Sequence, residues 1–310
     1  MKIKRRAAAA LLALCLGFGA GCGAKSPASP TTTTPDERVL PRMDSSTGRA
    51  PIASAIYELF AGEGYRGPAP LCSKTHGAWL NLADGKADIV FLSAPTEGEL
   101  GYFAEKGVDI EMKLFGYDGL VFLGNEANPV ENLSADEIRG IYSGKITNWK
   151  ELGGEDAEIL PFIRNPESGS QRQFVSLVWE GYDMPDYTFR EGGEHLVYQE
   201  NDTMGGVVEA VRWNRNAIAF SILSYVDSEF AGVPLRIFSI DGAAPTTENL
   251  ASRAYPFLTT AYVAIRAGEP DGSPARRLYD WFGSEESRAV IEGNSTLTVA
   301  FLDSEIIRAG

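Results

Sequence analysis

From about residue 38 onward, short apolar runs alternate with segments in which apolar residues recur at helical spacing. In Pro51–Ala61, for example, the spacing predicts a helix with Ile56 and Leu59 on its buried face. Such an alternation of strands and helices predicts an α/β fold with largely parallel sheets. Further helices are predicted at Gln171–Trp179, Gly206–Asn214, Pro274–Trp281, Glu286–Glu292 and after a capping box at Ser134–Glu137, and strands at Asp88–Leu92, Leu120–Leu123, Ala217–Ile222 and Phe257–Ile265.

The first 21 residues have the pattern of a secretory signal. The basic segment Lys2–Arg6 precedes the apolar stretch Ala7–Ala20, which is shorter than the roughly 20 residues of a membrane-spanning helix. Small residues then lead into Cys22, a pattern that resembles a bacterial lipobox, although Gly19 stands where leucine is usual. We therefore predict a signal peptide over residues 1–21 and lipidation of Cys22, with ordinary signal cleavage as the alternative.

Residues 22–37 are predicted to form a tether. After the cysteine this segment is dominated by Ser, Thr and Pro, which cannot bury apolar surface and favour an extended linker. The sequence thus predicts an extracytoplasmic protein that is anchored to the bacterial cell membrane through its lipidated N-terminus, with the folded part beginning near residue 38.

Charge and composition narrow the classes of partner. Against 28 Lys and Arg the chain has 42 Asp and Glu, and the net charge of −14 argues against nucleic acid as a partner. A hydrophobic content of 44% fits a globular protein with a core. Two histidines are too few for a His-based metal site, and three cysteines cannot build a disulfide framework, so we predict neither a metal nor a cofactor.

Hydroxyl-bearing residues precede several of the predicted helices, and such helix starts can bind an anion. The first N–H groups of a helix have no intrahelical partner, and Ser or Thr hydroxyls add further donors. Ser46 and Thr47 precede the helix that Pro51 opens, and Thr75 precedes the helix of Trp79. Simple N-capping by the same hydroxyls is the alternative.

A third helix start, RNPESGSQ at residues 164–171, combines the most anion-binding groups. Arg164 carries a planar guanidinium that suits two oxygens of an oxyanion, and Ser168 and Ser170 supply hydroxyls. Gly169 has no Cβ, so the backbone can approach a ligand. We predict that these four residues bind a ligand together with Ser46, Thr47 and Thr75; further candidates in these loops and one other polar loop are Arg49, His76 and Thr203.

Several stretches of the chain resemble PstS-like phosphate-binding proteins, the substrate-binding lipoproteins of phosphate ABC transporters. The resemblance depends on LSADEIRGIYSGKITNWKELGG at residues 133–154 together with the R-x-x-x-S-G-S segment from residue 164, and it extends from about Val39 to Ile291. It implies the type II periplasmic-binding-protein fold, an α/β architecture of two lobes joined by a two-stranded hinge. Lobe one would comprise residues 38–117 and 259–310, and lobe two residues 118–258.

The resemblance also implies a function: a monomer that captures phosphate or a related oxyanion between its lobes and delivers it to an ABC permease. It adds Ser93 to the predicted ligand contacts, at a position where well-studied members have an aspartate that accepts the proton of hydrogenphosphate. Because a serine can donate to any oxyanion, discrimination against sulfate is in question unless Asp118 or Asp202 takes over that role.

Two other classes of function are weighed against this one. A sensing or scavenging lipoprotein of the same fold, without a dedicated permease, is the main alternative. An enzyme such as a phosphatase would need a nucleophile paired with a base, or a set of metal ligands. The sequence shows no such partner for Ser168 or Ser170, so we predict that the protein is not an enzyme.

Overall fold

The computed structural model describes residues 40–308 except 62–64, 66, 167, 185–199, 202 and 296. The predicted signal peptide, Cys22 and the tether lie outside the described residues, and so does Asp202. The strands are β1 (Met43–Ser45), β2 (Ile89–Leu92), β3 (Ile110–Asn125), β4 (Asn132–Leu133), β5 (Leu160–Pro161), β6 (Ile163–Arg164), β7 (Glu200–Asn201), β8 (Ala217–Ile222), β9 (Leu235–Ile237), β10 (Ser239–Ile240), β11 (Leu258–Arg266), β12 (Thr298–Val299) and β13 (Glu305–Ile307). The α-helices are α1 (Ala50–Ala61), α2 (Lys74–Ala83), α3 (Glu97–Lys106), α4 (Ala135–Tyr142), α5 (Gly169–Val178), α6 (Met204–Trp213), α7 (Leu223–Glu229), α8 (Thr247–Ala251), α9 (Pro274–Trp281) and α10 (Glu285–Asn294), with 3-10 turns at Thr47–Arg49 and Trp149–Leu152.

The frame of the fold is a mixed sheet whose main path runs β1-β2-β11-β3-β8-β5. β1 and β2 are parallel, as are β5 and β8, but β11 runs antiparallel to both β2 and β3. The expectation of largely parallel sheets is therefore wrong. The cause is β3, a strand of 16 residues of which Leu120–Leu123 alone was predicted. It pairs antiparallel with β8, β9, β11, β12 and β13.

Local signals account for most of the helix starts. The predicted capping box of α4 is confirmed, because Ser134 Oγ accepts from the Glu137 N–H at 3.1 Å and Glu137 Oε2 accepts from the Ser134 N–H at 2.7 Å. Leu59 is 46% exposed, so its predicted place on the buried face of α1 is wrong. Ala53 completes that face instead, since Leu59 lies at the edge of the stripe. No helix in the described part of the chain is both long and apolar enough to cross a bilayer.

Apolar side chains pack into separate clusters that use different parts of the chain. One cluster takes all of its buried residues from between Leu120 and Phe257, and the stacked rings of Phe174 and Phe220 belong to it. Two further clusters use residues 43–115 and 261–297. β3 and β11 contribute residues to the first cluster and also to the other two. These two strands therefore connect the two parts of the fold. The architecture is thus α/β with two lobes, as predicted.

Candidate functional site

The predicted ligand-binding residues line one small cavity, although they come from four separate segments of the chain. The cavity has a volume of about 20 Å³, against roughly 10–15 Å³ for a single water, so it suits a small ligand. Its lining includes Ser46, Thr47, Arg49, Thr75, Ser93, Arg164, Ser168, Gly169 and Ser170, and also Gly48, Lys74, Gln173, Met204 and Ile222.

Arg164 is a buried cation at this cavity. It ends β6, is 2% exposed, and its Nη1 donates to Ser170 Oγ at 3.1 Å. Its backbone N–H donates to Gln171 Oε1 at 2.9 Å, which fixes the strand against the start of α5. The guanidinium is therefore held in one place before any ligand arrives, which reduces the entropy that binding must cost.

The hydroxyls at the cavity are not used as helix caps. Ser168 and Ser46 occupy N-cap positions, yet neither side chain accepts a hydrogen bond from its helix. At α3, by contrast, Thr96 caps in the ordinary way. Ser168 Oγ lies 3.1 Å from Ser170 Oγ, and both residues are buried. The capping alternative is thus wrong for Ser46, and the hydroxyls of Ser46 and Ser168 are left to serve the cavity.

The two sides of the cavity approach each other closely at Gly169. A Cβ on this residue would lie 2.2 Å from Thr75 Oγ1, well inside van der Waals contact. Thr75 belongs to α2 and is 2% exposed, so its side chain has little room to move. Glycine is required here by the close approach of the two helices.

Gly169→Ala should therefore weaken ligand binding, because the two helices must separate or Thr75 must leave the cavity. Overpacking of this kind costs about 1–3 kcal/mol, so we expect roughly tenfold weaker binding or more. Titration calorimetry with phosphate, the ligand that the resemblance implies, measures the effect. Gly101→Ala in α3 is the matched control, since its Cβ would meet nothing within 4 Å. Equal affinities of the two variants would contradict the assignment.

Arg49 also reaches the cavity, but its charge is already paired. Its Nη1 donates to Asp118 Oδ2 at 2.6 Å and to Ser224 Oγ at 3.1 Å. Asp118 is fully buried and accepts from the Gly119 N–H at 2.8 Å and the Ser224 N–H at 3.2 Å as well. The suggestion that Asp118 accepts a ligand proton is therefore wrong, because its oxygens are occupied.

Ser93 follows the carboxyl end of β2 and lines the cavity. Within the described part of the chain, no Asp or Glu lines it. Tyr225 stands close enough to Arg164 for the two to interact, and burial, aided by Glu229 and opposed by Arg164, raises the pKa of its hydroxyl. It therefore stays neutral at physiological pH.

Two of the candidate residues are not among those that line the cavity. Thr203 is exposed and caps α6, where its hydroxyl accepts from the Gly206 N–H at 3.0 Å. His76 Nδ1 lies 3.1 Å from Glu99 Oε1, beside the cavity. Both side chains thus have structural partners in place of the predicted contact with a ligand.

The same Glu99 links the helices on either side of the cavity. It is 1% exposed, belongs to α3, and its Oε1 accepts from Arg172 Nη1 of α5 at 2.6 Å. Arg172 is two residues beyond Ser170. We call Glu99, Arg172 and His76 the Glu99 cluster, and it ties the helix that carries the ligand groups to the opposite side.

Sequence reasoning missed Lys74 at this cavity. It adjoins the predicted Thr75, and its φ of 62° lies in the left-handed region that non-glycine residues rarely adopt. Neither property can be seen from residue type alone, since a lysine in a polar loop is usually solvated. Gln173 also lines the cavity and was not predicted. The one feature that could have indicated it is its position in the first turns of α5.

The chain belongs to the PBP superfamily. The family model described as the PBP superfamily domain matches residues 71–286, which are more than half of the chain. The site and the two-lobed fold define a binding protein of this class. The resemblance to PstS-like proteins is confirmed by relatives and by solved structures.

Three similar proteins are informative. The phosphate-binding protein PstS of Bacillus subtilis is 26% identical over 245 residues, which are 79% of this chain and 75% of that protein. A structure from Clostridium perfringens, described as a phosphate ABC transporter substrate-binding protein with bound phosphate, is 26% identical with a TM-score of 0.66, covering 84% of this chain and 99% of that one. An ABC-type phosphate transport receptor from Vibrio cholerae is 26% identical with a TM-score of 0.60, covering 82% and 98%. The first of these is named for phosphate binding and the other two for phosphate transport.

Proposed function

We propose that this protein captures phosphate, or a closely related tetrahedral oxyanion, in the cavity and delivers it to an ABC importer. The observation that carries the proposal is the convergence of hydroxyls from four segments around the buried Arg164. Its relatives from Bacillus subtilis and Vibrio cholerae, which are named for phosphate binding or transport, support the same ligand.

The binding chemistry follows from the donors. Ser46, Thr75 and Ser93 reach the ligand from one side, and Ser168 and Ser170 from the other. The first N–H groups of α5 have no intrahelical partners and point toward an anion at its start. The overall charge of −14 does not prevent binding, because surface charges beyond a Debye length of about 8 Å are largely screened while contact donors are not.

We propose that residues 38–117 with 259–310 form one lobe and residues 118–258 the other. The division of the apolar clusters near Leu120 and Phe257 supports these limits, and β3 and β11 are then the hinge strands. A ligand held by both lobes stabilises the closed arrangement, which is how such proteins signal to a permease.

The proposed location is the outer face of the bacterial cell membrane. A signal peptide over residues 1–21, lipidation of Cys22 and a tether over residues 22–37 would hold a monomer near its permease. Metabolic labelling with palmitate, compared between the natural chain and Cys22→Ala, tests the anchor. Equal labelling of both would contradict it.

Binding is tested by titration calorimetry of the protein with phosphate, alongside incubation with a chromogenic phosphate ester. We expect heat of binding with a stoichiometry of one and no release of the chromophore. A protein that binds no phosphate, sulfate or other tetrahedral oxyanion would overturn the proposal. Since Ser93 stands where an aspartate is usual, sensing without transport is the second candidate, and phosphate uptake by cells lacking the protein separates the two.

A further inference from the structure

Lys74 is a cation at the cavity that has no protein partner among the described residues. It lines the space beside Thr75 and Arg164, and it makes no hydrogen bond or ion pair with any residue that the structure describes. Its backbone is held at a φ of 62°, a costly conformation for lysine. No described residue neutralises this lysine, so its charge is available to a ligand in the cavity that it lines.

The other charges around the cavity determine how strongly Lys74 acts on a ligand. Among the described residues, three cationic side chains line it, but Arg49 is paired with Asp118 at 2.6 Å. No carboxylate in the described part of the chain faces the space, and Ser93 offers only a hydroxyl. No described carboxylate at the cavity therefore cancels the positive charge that Lys74 adds, and no described acidic side chain is placed to accept a ligand proton.

We propose that Lys74 makes the cavity selective for the charge of its ligand: it favours a doubly charged tetrahedral oxyanion, with or without a proton. The inference depends on the proposed function, since it concerns the same cavity. Hydrogenphosphate dianion and sulfate both satisfy Lys74, whereas singly charged dihydrogenphosphate satisfies it less. A hydroxyl such as that of Ser93 can donate to either dianion.

Two consequences separate this cavity from one that requires a ligand proton. Phosphate affinity rises with pH as dihydrogenphosphate gives way to the dianion, a step that falls near neutral pH. Sulfate competes for the cavity, and its affinity changes little over the same range, because sulfate does not titrate there. Any titration of the protein, including the Glu99 cluster or Tyr225, would appear in the sulfate data and can be subtracted.

The experiment compares Lys74→Met, which keeps the length of the side chain, with Lys74→Arg, which keeps its charge. Lys86→Met is the control, since Lys86 is an exposed lysine paired with Asp84. Phosphate and sulfate are titrated calorimetrically on either side of the second phosphate ionisation, at constant ionic strength. Melting temperatures without ligand establish that each variant is folded.

Lys74→Met is expected to lose about tenfold or more in affinity for both dianions, as loss of a charge-assisted contact does. Its phosphate affinity should also depend less on pH, whereas Lys74→Arg keeps the pH dependence because it keeps the charge. Lys86→Met, outside the cavity, should keep both the natural affinity and the natural pH dependence. Unchanged sulfate affinity and an unchanged pH dependence in Lys74→Met would overturn the inference and leave phosphate binding intact. If the natural protein binds no oxyanion at all, the proposed function fails instead.

Discussion

Arg164→Ala should reduce phosphate affinity by about 2–5 kcal/mol, the cost of removing one partner of a buried, hydrogen-bonded charge pair. Arg164 is 2% exposed and is oriented through Ser170 Oγ and the backbone contact to Gln171. The loss should appear mainly in the dissociation rate, because the truncated side chain no longer holds the bound anion. Titration calorimetry and stopped-flow dissociation together measure both.

Two further variants make this result specific. Arg164→Lys keeps the charge but not the planar fork, so we expect an intermediate loss. Arg215→Ala is the matched control, since Arg215 is an exposed arginine paired with Glu155. If Arg164→Ala and Arg215→Ala both bind phosphate as tightly as the natural protein does, Arg164 does not belong to the binding site.

Asp118→Ala should lower the free energy of unfolding by about 3–5 kcal/mol, the range seen when a buried ion pair loses one member. The substitution leaves the guanidinium of Arg49 buried, with Ser224 Oγ as its remaining acceptor among the described residues. It also frees the Gly119 and Ser224 N–H groups, which Asp118 Oδ1 now satisfies. Urea denaturation in the absence of ligand gives the change.

Removing both charges should be milder than removing one. In Arg49→Met/Asp118→Leu no charge is left buried without a partner, so we expect part of the lost stability to return. An exposed pair, Lys150 with Asp156, is the control, and Asp156→Ala should leave the stability close to that of the natural protein, because exposed ion pairs contribute little. A double variant less stable than Asp118→Ala would contradict the view that the uncompensated charge dominates.

The local parts of the site could be predicted from sequence, and its long-range parts could not. Ser168, Gly169 and Ser170 were predictable because hydroxyls and a glycine at a helix start are a short-range signal, which the resemblance strengthened. The contact of Arg49 with Asp118 joins residues that are 69 positions apart in the chain, and no local sequence pattern near either residue indicates it. Lys74 was missed because its place depends on how two lobes meet.

The same distinction between local and long-range parts applies to how well the fold could be predicted. The α4 capping box and the limits of α9 follow from neighbouring residues, and both were predicted. The direction of the central strands depends on pairs such as Leu258 with Gly119, which lie far apart in sequence. The missed α3 had a usable signal, a capping box at Thr96 and Glu99, but few apolar residues. The exposure of Leu59 shows that hydrophobic periodicity identifies the buried face of a helix but does not say which residues lie at the edge of that face.

The Glu99 cluster has a consequence for release of the ligand. Opening the cavity would pull Arg172 away from Glu99 and expose both charges to water, where dissolved counter-ions stabilise each of them separately. Salt therefore favours the opened arrangement, and the escape rate of the anion should increase with ionic strength. A contact between the buried Glu99 and the partly exposed Arg172 beside the binding groups thus makes the protein's retention of its ligand responsive to the salinity of its surroundings.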